Sequence, residues 1–178
     1  MTRQTKKCVR EIFCLLLCSL LLLLSSCGDA VQDITPFEYL QKINDLAGES
    51  FGGIAVTENI DVNTSVSQIS DSLYLTLSSD PVTGLLLQAE LALYRTPDTE
   101  TLDYSLFEHC FLVLLKAHDP DISVTNLNAI HDTLGIEDYT VGTDTKIGYG
   151  RNTYFYTVNE EMALFTAQFG VSSEPLAP

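Results

Sequence analysis

The clearest pattern along the chain is an alternation of apolar and polar residues with a period of two. Leucines occupy alternate positions in residues 73–77, and apolar side chains recur at alternate positions in residues 85–93. Residues 80–84 between them read Asp-Pro-Val-Thr-Gly, which is typical of a turn. We therefore predict a β-hairpin with one face against a core and the other face partly in water.

The last third of the chain has a similar pattern. Residues 153–158 and 162–169 resemble strands and flank the polar sequence Asn-Glu-Glu, which predicts a second hairpin. A third short strand is predicted within residues 141–148. Residues 49–70 contain a glycine pair and a long polar run, so most of this stretch is predicted to be loop.

The first predicted helix has a complete start signal. Thr35 is followed by Pro36 and Glu38, a sequence that favours a capping box with proline in the first turn. Gly48 is predicted to end this helix. The spacing of its apolar residues predicts a buried stripe composed of Phe37, Leu40, Ile43 and Ala47.

Two further helices are predicted in the middle of the chain. Residues 103–118 form a helical segment whose centre is apolar on all sides, which indicates a central position in the fold. Ser123 is a suitable N-cap for a third helix, and Gly135 is suited to end it. Because the connection between these two helices is short, they are expected to pack as an αα-hairpin.

The predicted order of elements is α-ββ-αα-ββ. It indicates an α+β fold in which an antiparallel sheet of two hairpins has helices packed on one face. Residues 35–170 are predicted to form this single domain, and residues 171–178 a flexible tail.

The N-terminus has the organisation of an export signal. The first ten residues contain four basic side chains, and a nearly continuous apolar run of 13 residues follows at positions 12–24. A basic region, a short apolar region and small residues after it are typical of a secretory signal peptide. A membrane-spanning helix needs about 20 apolar residues, so a permanent span is the weaker interpretation.

The residues that follow the apolar run suggest a more specific processing event. Leu24-Ser25-Ser26-Cys27 resembles the lipobox of bacterial lipoproteins. This resemblance covers residues 1–27, and it implies cleavage between Ser26 and Cys27 and attachment of a diacylglycerol to the Cys27 sulfur. Residues 1–26 would then be the signal peptide and residues 27–34 a tether. The alternative is an ordinary signal peptide that is cleaved elsewhere.

The charge of the chain limits its partners. The full chain has a net charge of −15, and residues 27–178 contain 5 basic and 23 acidic side chains, a net charge of −18. Binding to nucleic acid requires a basic surface, so nucleic acid is excluded as a partner. Electrostatics favours positive surfaces, cationic peptides or divalent cations, and solubility alone is the alternative explanation of the charge.

The sequence contains no motif of nucleophilic, nucleotide or zinc chemistry. Cys110 is the only cysteine after Cys27, so no internal disulfide is expected, and its apolar neighbours indicate that it fills the core. We therefore predict a non-enzymatic protein with no cofactor and no catalytic residues.

One polar cluster leaves a second possibility open. If the two middle helices fold back on each other, His118, Asp121 and His131 would come close together. That corner would suit a small ligand or a divalent metal, although its spacing matches no standard metal motif. The alternative, which we favour, is that these side chains interact with helix ends and solvent.

Half of the eight tyrosines fall within residues 139–156. If Phe155 faces the helices with Phe165 and Phe169, then Tyr154 and Tyr156 line the open face of the sheet. Such a face would suit contact with a protein, a peptide or a glycan. The alternative is that these tyrosines only cover the sheet through cross-strand pairs.

These observations predict a lipoprotein on the extracytoplasmic face of a bacterial membrane. Its lipid at Cys27 would anchor it, and it would act as a binding module for an envelope protein, a peptide or a glycan. A ligand or metal sensor with the same anchor is the second candidate.

Overall fold

The computed structural model of the chain describes residues 34–48, 54–55, 57–96 and 101–170. These residues contain three α-helices and seven β-strands. The helices are α1 (Pro36–Ala47), α2 (Thr101–His118) and α3 (Val124–Leu134). The strands are β1 (Glu58–Asn59), β2 (Thr64–Gln68), β3 (Leu73–Ser79), β4 (Leu86–Tyr94), β5 (Asp144–Tyr149), β6 (Asn152–Val158) and β7 (Met162–Gln168).

All seven strands belong to one sheet with the order β1-β2-β3-β4-β7-β6-β5, and every neighbouring pair is antiparallel. The predicted α+β class is confirmed. The two predicted hairpins are β3–β4 and β6–β7, and they join through the pairing of β4 with β7. Strand β5 forms one edge, largely where a third short strand was predicted.

The other edge of the sheet was not predicted. Strands β1 and β2 lie in the polar stretch that the sequence pattern assigns to loop. Every residue of β2 pairs with a residue of β3, although Val66 is the only apolar residue of β2. Only the two-residue strand β1 lies beyond β2, so both strands are at the margin of the sheet. Strands at the margin can form on backbone hydrogen bonds with little apolar burial, so their sequences lack the alternation that marks a central strand.

Helix α1 begins as its sequence predicts. The Thr35 hydroxyl accepts from the backbone N–H of Glu38, and the Glu38 carboxylate accepts from the backbone N–H of Thr35, which completes the capping box. The predicted stripe is wrong at its first position: Phe37 is 75% exposed, whereas Tyr39 is fully buried. Its ring packs against Phe169, and its hydroxyl is satisfied in the core because it donates to the carbonyl of Leu114 in α2, at 2.8 Å.

All three helices pack on the same face of the sheet. Helix α1 contacts α2 and β3, α2 also contacts β4, and α3 lies over β5 and β6. The predicted αα-hairpin is therefore wrong as a packing arrangement, because α2 packs mainly against α1 and approaches α3 at few positions. Helix α2 lies at the centre of the core, because apolar side chains are buried over about three of its turns. These buried residues include Phe107, Phe111, Leu114 and Leu115.

Strand β4 contains an irregularity that changes which leucine is buried. Ser78 pairs with Gln88 but Ser79 pairs with Leu86, so Leu87 is an extra residue in the ladder. Leu86 is 5% exposed and Leu87 is 41% exposed. The bulge shifts the alternation by one residue, and the inward orientation predicted for Leu87 belongs to Leu86 instead.

Ile34, the last residue of the predicted tether, belongs to the hydrophobic core instead. Ile34 is buried, and its carbonyl accepts from the backbone N–H of Leu86. The predicted signal peptide, Ser26, Cys27, the rest of the tether and the tail at 171–178 lie outside the described residues. Among the described helices, none combines the length and the apolar character that crossing a bilayer requires.

Candidate functional site

The two tyrosines predicted to form a binding face lie in the core. Tyr154 is 1% exposed and Tyr156 is 0% exposed, and both point toward the helices. The ring of Tyr156 lies 6.1 Å from that of Phe107 in α2, between centroids. Phe155, between the two tyrosines, is only half-buried and points to the opposite face. The prediction that Tyr154 and Tyr156 line the open face is therefore wrong.

The physical reason for this error is that residues 154–156 read Tyr-Phe-Tyr, so each side of the strand carries an aromatic side chain. The alternation therefore does not indicate which side is buried. A tyrosine can be buried when its hydroxyl finds a partner, and the Tyr156 hydroxyl donates to the carbonyl of Asp138 at 3.3 Å. The premise that Phe155 faces the helices with Phe165 and Phe169 fails at Phe155, whereas Phe165 and Phe169 are 0% and 5% exposed. Phe165 is the cross-strand partner of Tyr156, so the two must share a face.

The face of the sheet opposite the helices is the first candidate site, and we call it the open face. No helix of the described residues packs on it. Cross-strand pairing aligns one row of its side chains across five strands, from β3 to β5. In order, this row consists of Tyr74, Ala92, Leu164, Thr157 and Asp144.

One end of the open face is aromatic. Tyr74 and Tyr94 meet edge to face with ring centroids 5.5 Å apart, and Tyr94 is 45% exposed. Met162 pairs with Tyr94 across β4 and β7 and is half-buried. We call these three residues the aromatic corner. They give this end of the sheet a partly exposed apolar surface.

Two loops that contain acidic residues lie beside the aromatic corner. The Tyr74 hydroxyl donates to the carbonyl of Asp71 at 3.4 Å, and the backbone N–H of Arg95 donates to the carbonyl of Glu161 at 2.7 Å. These bonds hold both loops beside the corner. Asp71, Glu160 and Glu161 are exposed, and we call these three residues the acidic rim.

The centre of the open face is more polar. Glu90 lies between Thr76 and Thr166 on the neighbouring strands, and it accepts a hydrogen bond from the Gln88 amide at 2.8 Å. Near the β5 edge, the Lys146 ammonium is 5.4 Å from the centre of the Phe155 ring. The open face therefore already holds one cation against an aromatic ring.

The second candidate site is a buried polar cluster at the C-terminal end of α2. His118 is 6% exposed and its ring stacks on Phe169, with centroids 4.1 Å apart. The Asn152 amide nitrogen donates to His118 Nδ1 at 3.3 Å and to the Tyr154 hydroxyl at 3.4 Å. We call His118, Asn152, Tyr154, Phe169 and Tyr39 the His118 cluster, since the Tyr39 ring meets the imidazole edge on.

The hydrogen bonds of this cluster determine the tautomer of His118. The Asn152 carbonyl oxygen accepts from the backbone N–H of Gly170, so the amide nitrogen faces the imidazole as a donor. Nδ1 is therefore the acceptor and the proton of the neutral ring lies on Nε2. Nε2 is buried and has no hydrogen-bond acceptor in the part of the chain that the structure describes. Burial, and secondarily the charge of Lys42, lowers the pKa of His118 to about 4.

The structure does not gather the residues of the predicted metal corner. His131 contacts the Phe111 ring, Asp132 and Glu137, whereas His118 contacts Asn152, Phe169 and Tyr39. Asp121 is exposed and its backbone N–H bonds to Asp119. Within residues 34–48, 54–55, 57–96 and 101–170, no three histidine, cysteine or acidic side chains are grouped as metal ligands.

Cys110 is buried, as its apolar neighbours predict, and burial raises the pKa of its thiol to about 12. The thiolate, which is the nucleophilic form of cysteine, is therefore strongly disfavoured there. Sequence reasoning missed Tyr74, Tyr94 and the acidic rim. The only feature of the sequence that pointed to this site was the position of Tyr74 and Tyr94 among the polar residues that alternate with the apolar ones in the first hairpin.

The chain was compared with known proteins by sequence and by structure. No family model matches it, and no curated protein or solved structure is significantly similar to it.

Proposed function

We propose that this protein is a lipoprotein on the extracytoplasmic face of a bacterial membrane that binds a partner through the open face of its sheet. The lipid on Cys27 would anchor it, and the partner would be an envelope protein, a peptide or a glycan. The observation that carries the proposal is the open face, where the aromatic corner is accessible on a rigid seven-stranded sheet. Exposed aromatic residues on a rigid support are typical of binding surfaces.

The state of two reactive groups supports binding rather than catalysis. A general base is most effective when its pKa is near the working pH, but the pKa of His118 is lowered to about 4 and its ring is buried. The Cys110 thiol is buried with a pKa raised to about 12, so it is not an activated nucleophile. Both groups serve the interior of the fold.

The lipid anchor is tested by replacing Cys27. In a bacterial host that processes lipoproteins, we expect Cys27→Ser to abolish incorporation of a labelled fatty acid and to release the protein from the membrane fraction. Cys18→Ser is the matched control, because it removes a cysteine of the apolar run and leaves the lipobox intact. If Cys27→Ser keeps the label or if Cys18→Ser loses it, the proposed anchor is wrong.

The open face is tested by cross-linking in intact cells. A photoreactive amino acid at Thr166 lies in the centre of the open face, and the same group at Asn128 is exposed on α3. We expect a cross-linked partner at Thr166 that decreases about tenfold when Tyr74 and Tyr94 are both changed to serine. A partner captured only at Asn128, or one insensitive to the tyrosine changes, would reject the open face as the binding surface.

A further inference from the structure

We propose that the open face binds an extended cationic polypeptide segment with basic side chains at its two ends and apolar side chains between them. This inference rests on the proposed function of the open face and adds the chemistry and length of the partner. It follows from the order of side chains along the row from Tyr74 to Asp144, together with the acidic rim.

Charge excludes several other occupants of this face. Residues 27–178 have 5 basic and 23 acidic side chains, so a second copy of the chain would meet strong like-charge repulsion. Anionic lipid headgroups and acidic glycans would be repelled for the same reason. A cationic polypeptide is attracted by the whole domain, and the acidic rim supplies three exposed carboxylates in the loops beside the aromatic corner.

The aromatic corner explains why the first basic residue would bind at this end. Tyr94 is 45% exposed and meets Tyr74 edge to face, and its exposed surface would contact a guanidinium or ammonium group of the partner. Asp71, Glu160 and Glu161 are exposed in the two loops beside the corner, where their carboxylates would supply the counter-charges. The one basic residue at this end, Arg95, already donates from Nη1 to the carbonyl of Asn159 at 3.0 Å. The same face already contains a contact between a cation and an aromatic ring, in which the Lys146 ammonium lies over the ring of Phe155.

The middle and the far end of the row determine the rest of the partner. Ala92 and Leu164 lie side by side after Tyr74 and offer an apolar surface, and Thr157 follows them. Asp144 ends the row on the edge strand, where it is exposed. The row therefore runs from acidic and aromatic, through apolar, to acidic.

The spacing of the strands gives the length of the segment. From Tyr74 on β3 to Asp144 on β5 there are four gaps between strands, which is about 19 Å. An extended chain covers that distance in about seven residues. Alternate side chains of such a segment face the sheet, so positions one and seven carry the basic residues and positions three and five the apolar ones.

The experiment uses labelled seven-residue peptides and the purified full chain in a neutral detergent. The probe peptide is Arg-Ser-Leu-Ser-Leu-Ser-Arg. One control peptide has glutamate in place of both arginines, and another, Leu-Ser-Arg-Ser-Arg-Ser-Leu, has the same composition with the charges moved inward. Fluorescence anisotropy measures binding, and we expect the probe to bind at least about fivefold more tightly than either control.

Matched variants locate the binding site. Glu160→Gln combined with Glu161→Gln is expected to weaken probe binding about fivefold, whereas Asp132→Asn combined with Glu137→Gln removes the same charge on the helical side and should leave binding almost unchanged. Tyr94→Ser should weaken binding similarly, and Val82→Ser, at an exposed turn residue, should not. The thermal unfolding of each variant is recorded, and Tyr94→Phe, which keeps the ring, should retain binding.

The outcomes separate this inference from the proposed function. If the probe does not bind, binds no better than the rearranged peptide, or is weakened equally by both pairs of charge changes, the inferred partner is wrong. Cross-linking at Thr166 that depends on the two tyrosines would still support the open face as a binding surface in that case. If the cross-link is also absent, both proposals fail.

Discussion

Replacing Tyr156 with alanine is expected to lower the free energy of unfolding by about 3–5 kcal/mol, the usual cost of removing a large buried aromatic side chain. Tyr156 is 0% exposed and lies between Phe107 of α2 and Phe165 of β7. Its removal leaves a cavity under the central helix that the neighbouring rings fill only in part. Chemical denaturation monitored by circular dichroism measures the change.

Two control variants make this test specific to the orientation of β6. Phe155→Ala, one position away on the open face, should cost less than about 1.5 kcal/mol because this side chain is only half-buried. Tyr156→Phe should cost about 1 kcal/mol, since it loses only the hydrogen bond to the Asp138 carbonyl. A larger loss for Phe155→Ala than for Tyr156→Ala would mean that the strand faces the other way.

Lowering the pH from 7 to 5 is expected to reduce the free energy of unfolding by about 2 kcal/mol through His118 alone. In the folded state its pKa is lowered to about 4, whereas an unfolded chain has the ordinary value of 6.5. Below pH 6.5 His118 of the unfolded chain therefore binds a proton, whereas His118 of the folded chain stays neutral until the pH approaches 4. The stability present at neutral pH is lost as the pH falls from 6.5 toward 4, and then changes no further through this group.

The difference between wild type and His118→Phe isolates this effect. Carboxyl groups also make the stability of the protein depend on acid. The pKa of Asp80, for example, is lowered by hydrogen bonds, chiefly from the backbone N–H of Thr83, but such groups are the same in both proteins. We expect the loss of stability between pH 7 and pH 5 to be about 2 kcal/mol smaller in the variant. His118→Gln, which keeps a polar group, should behave in the same way. An unchanged pH dependence in both variants would show that His118 does not titrate as a buried group.

The His118→Phe variant also tests the tautomer of the His118 cluster at neutral pH. A buried N–H without an acceptor costs about 1–3 kcal/mol, so removing Nε2 offsets the lost bond from Asn152. A variant as stable as wild type at pH 8 is therefore expected. A loss of several kcal/mol would instead mean that Nε2 has a partner beyond the described residues.

Much of the fold followed from local patterns. The capping box of Thr35 and Glu38, the N-cap at Ser123 and the left-handed Gly135 that ends α3 all formed as predicted. Both hairpins formed at their predicted turns. These features involve residues within a few positions of one another, so the information that specifies them is contained in a short stretch of sequence.

Three of the errors, those about which residue is buried, share one cause. The sequence could not distinguish Phe37 from Tyr39, Leu87 from Leu86, or Phe155 from its two tyrosine neighbours as the buried member. In each case both candidates are apolar enough to be buried, so the local pattern has no preference. The same limit explains why the candidate site moved from Tyr154 and Tyr156 to the aromatic corner.

The sequence by itself determined the helices, the two hairpins, the α+β class and the strongly acidic character of the chain, because each depends on composition or on neighbours along the chain. Only the tertiary structure decided which face of each strand is buried and which side chains of the sheet are exposed. The buried Tyr39 hydroxyl donates to a carbonyl 75 residues away, and the buried Tyr156 ring contacts the ring of Phe107 on α2. Contacts between such distant residues choose one face over the other, since the larger buried area and the satisfied hydroxyl groups are available only when the whole sheet and its helices have assembled.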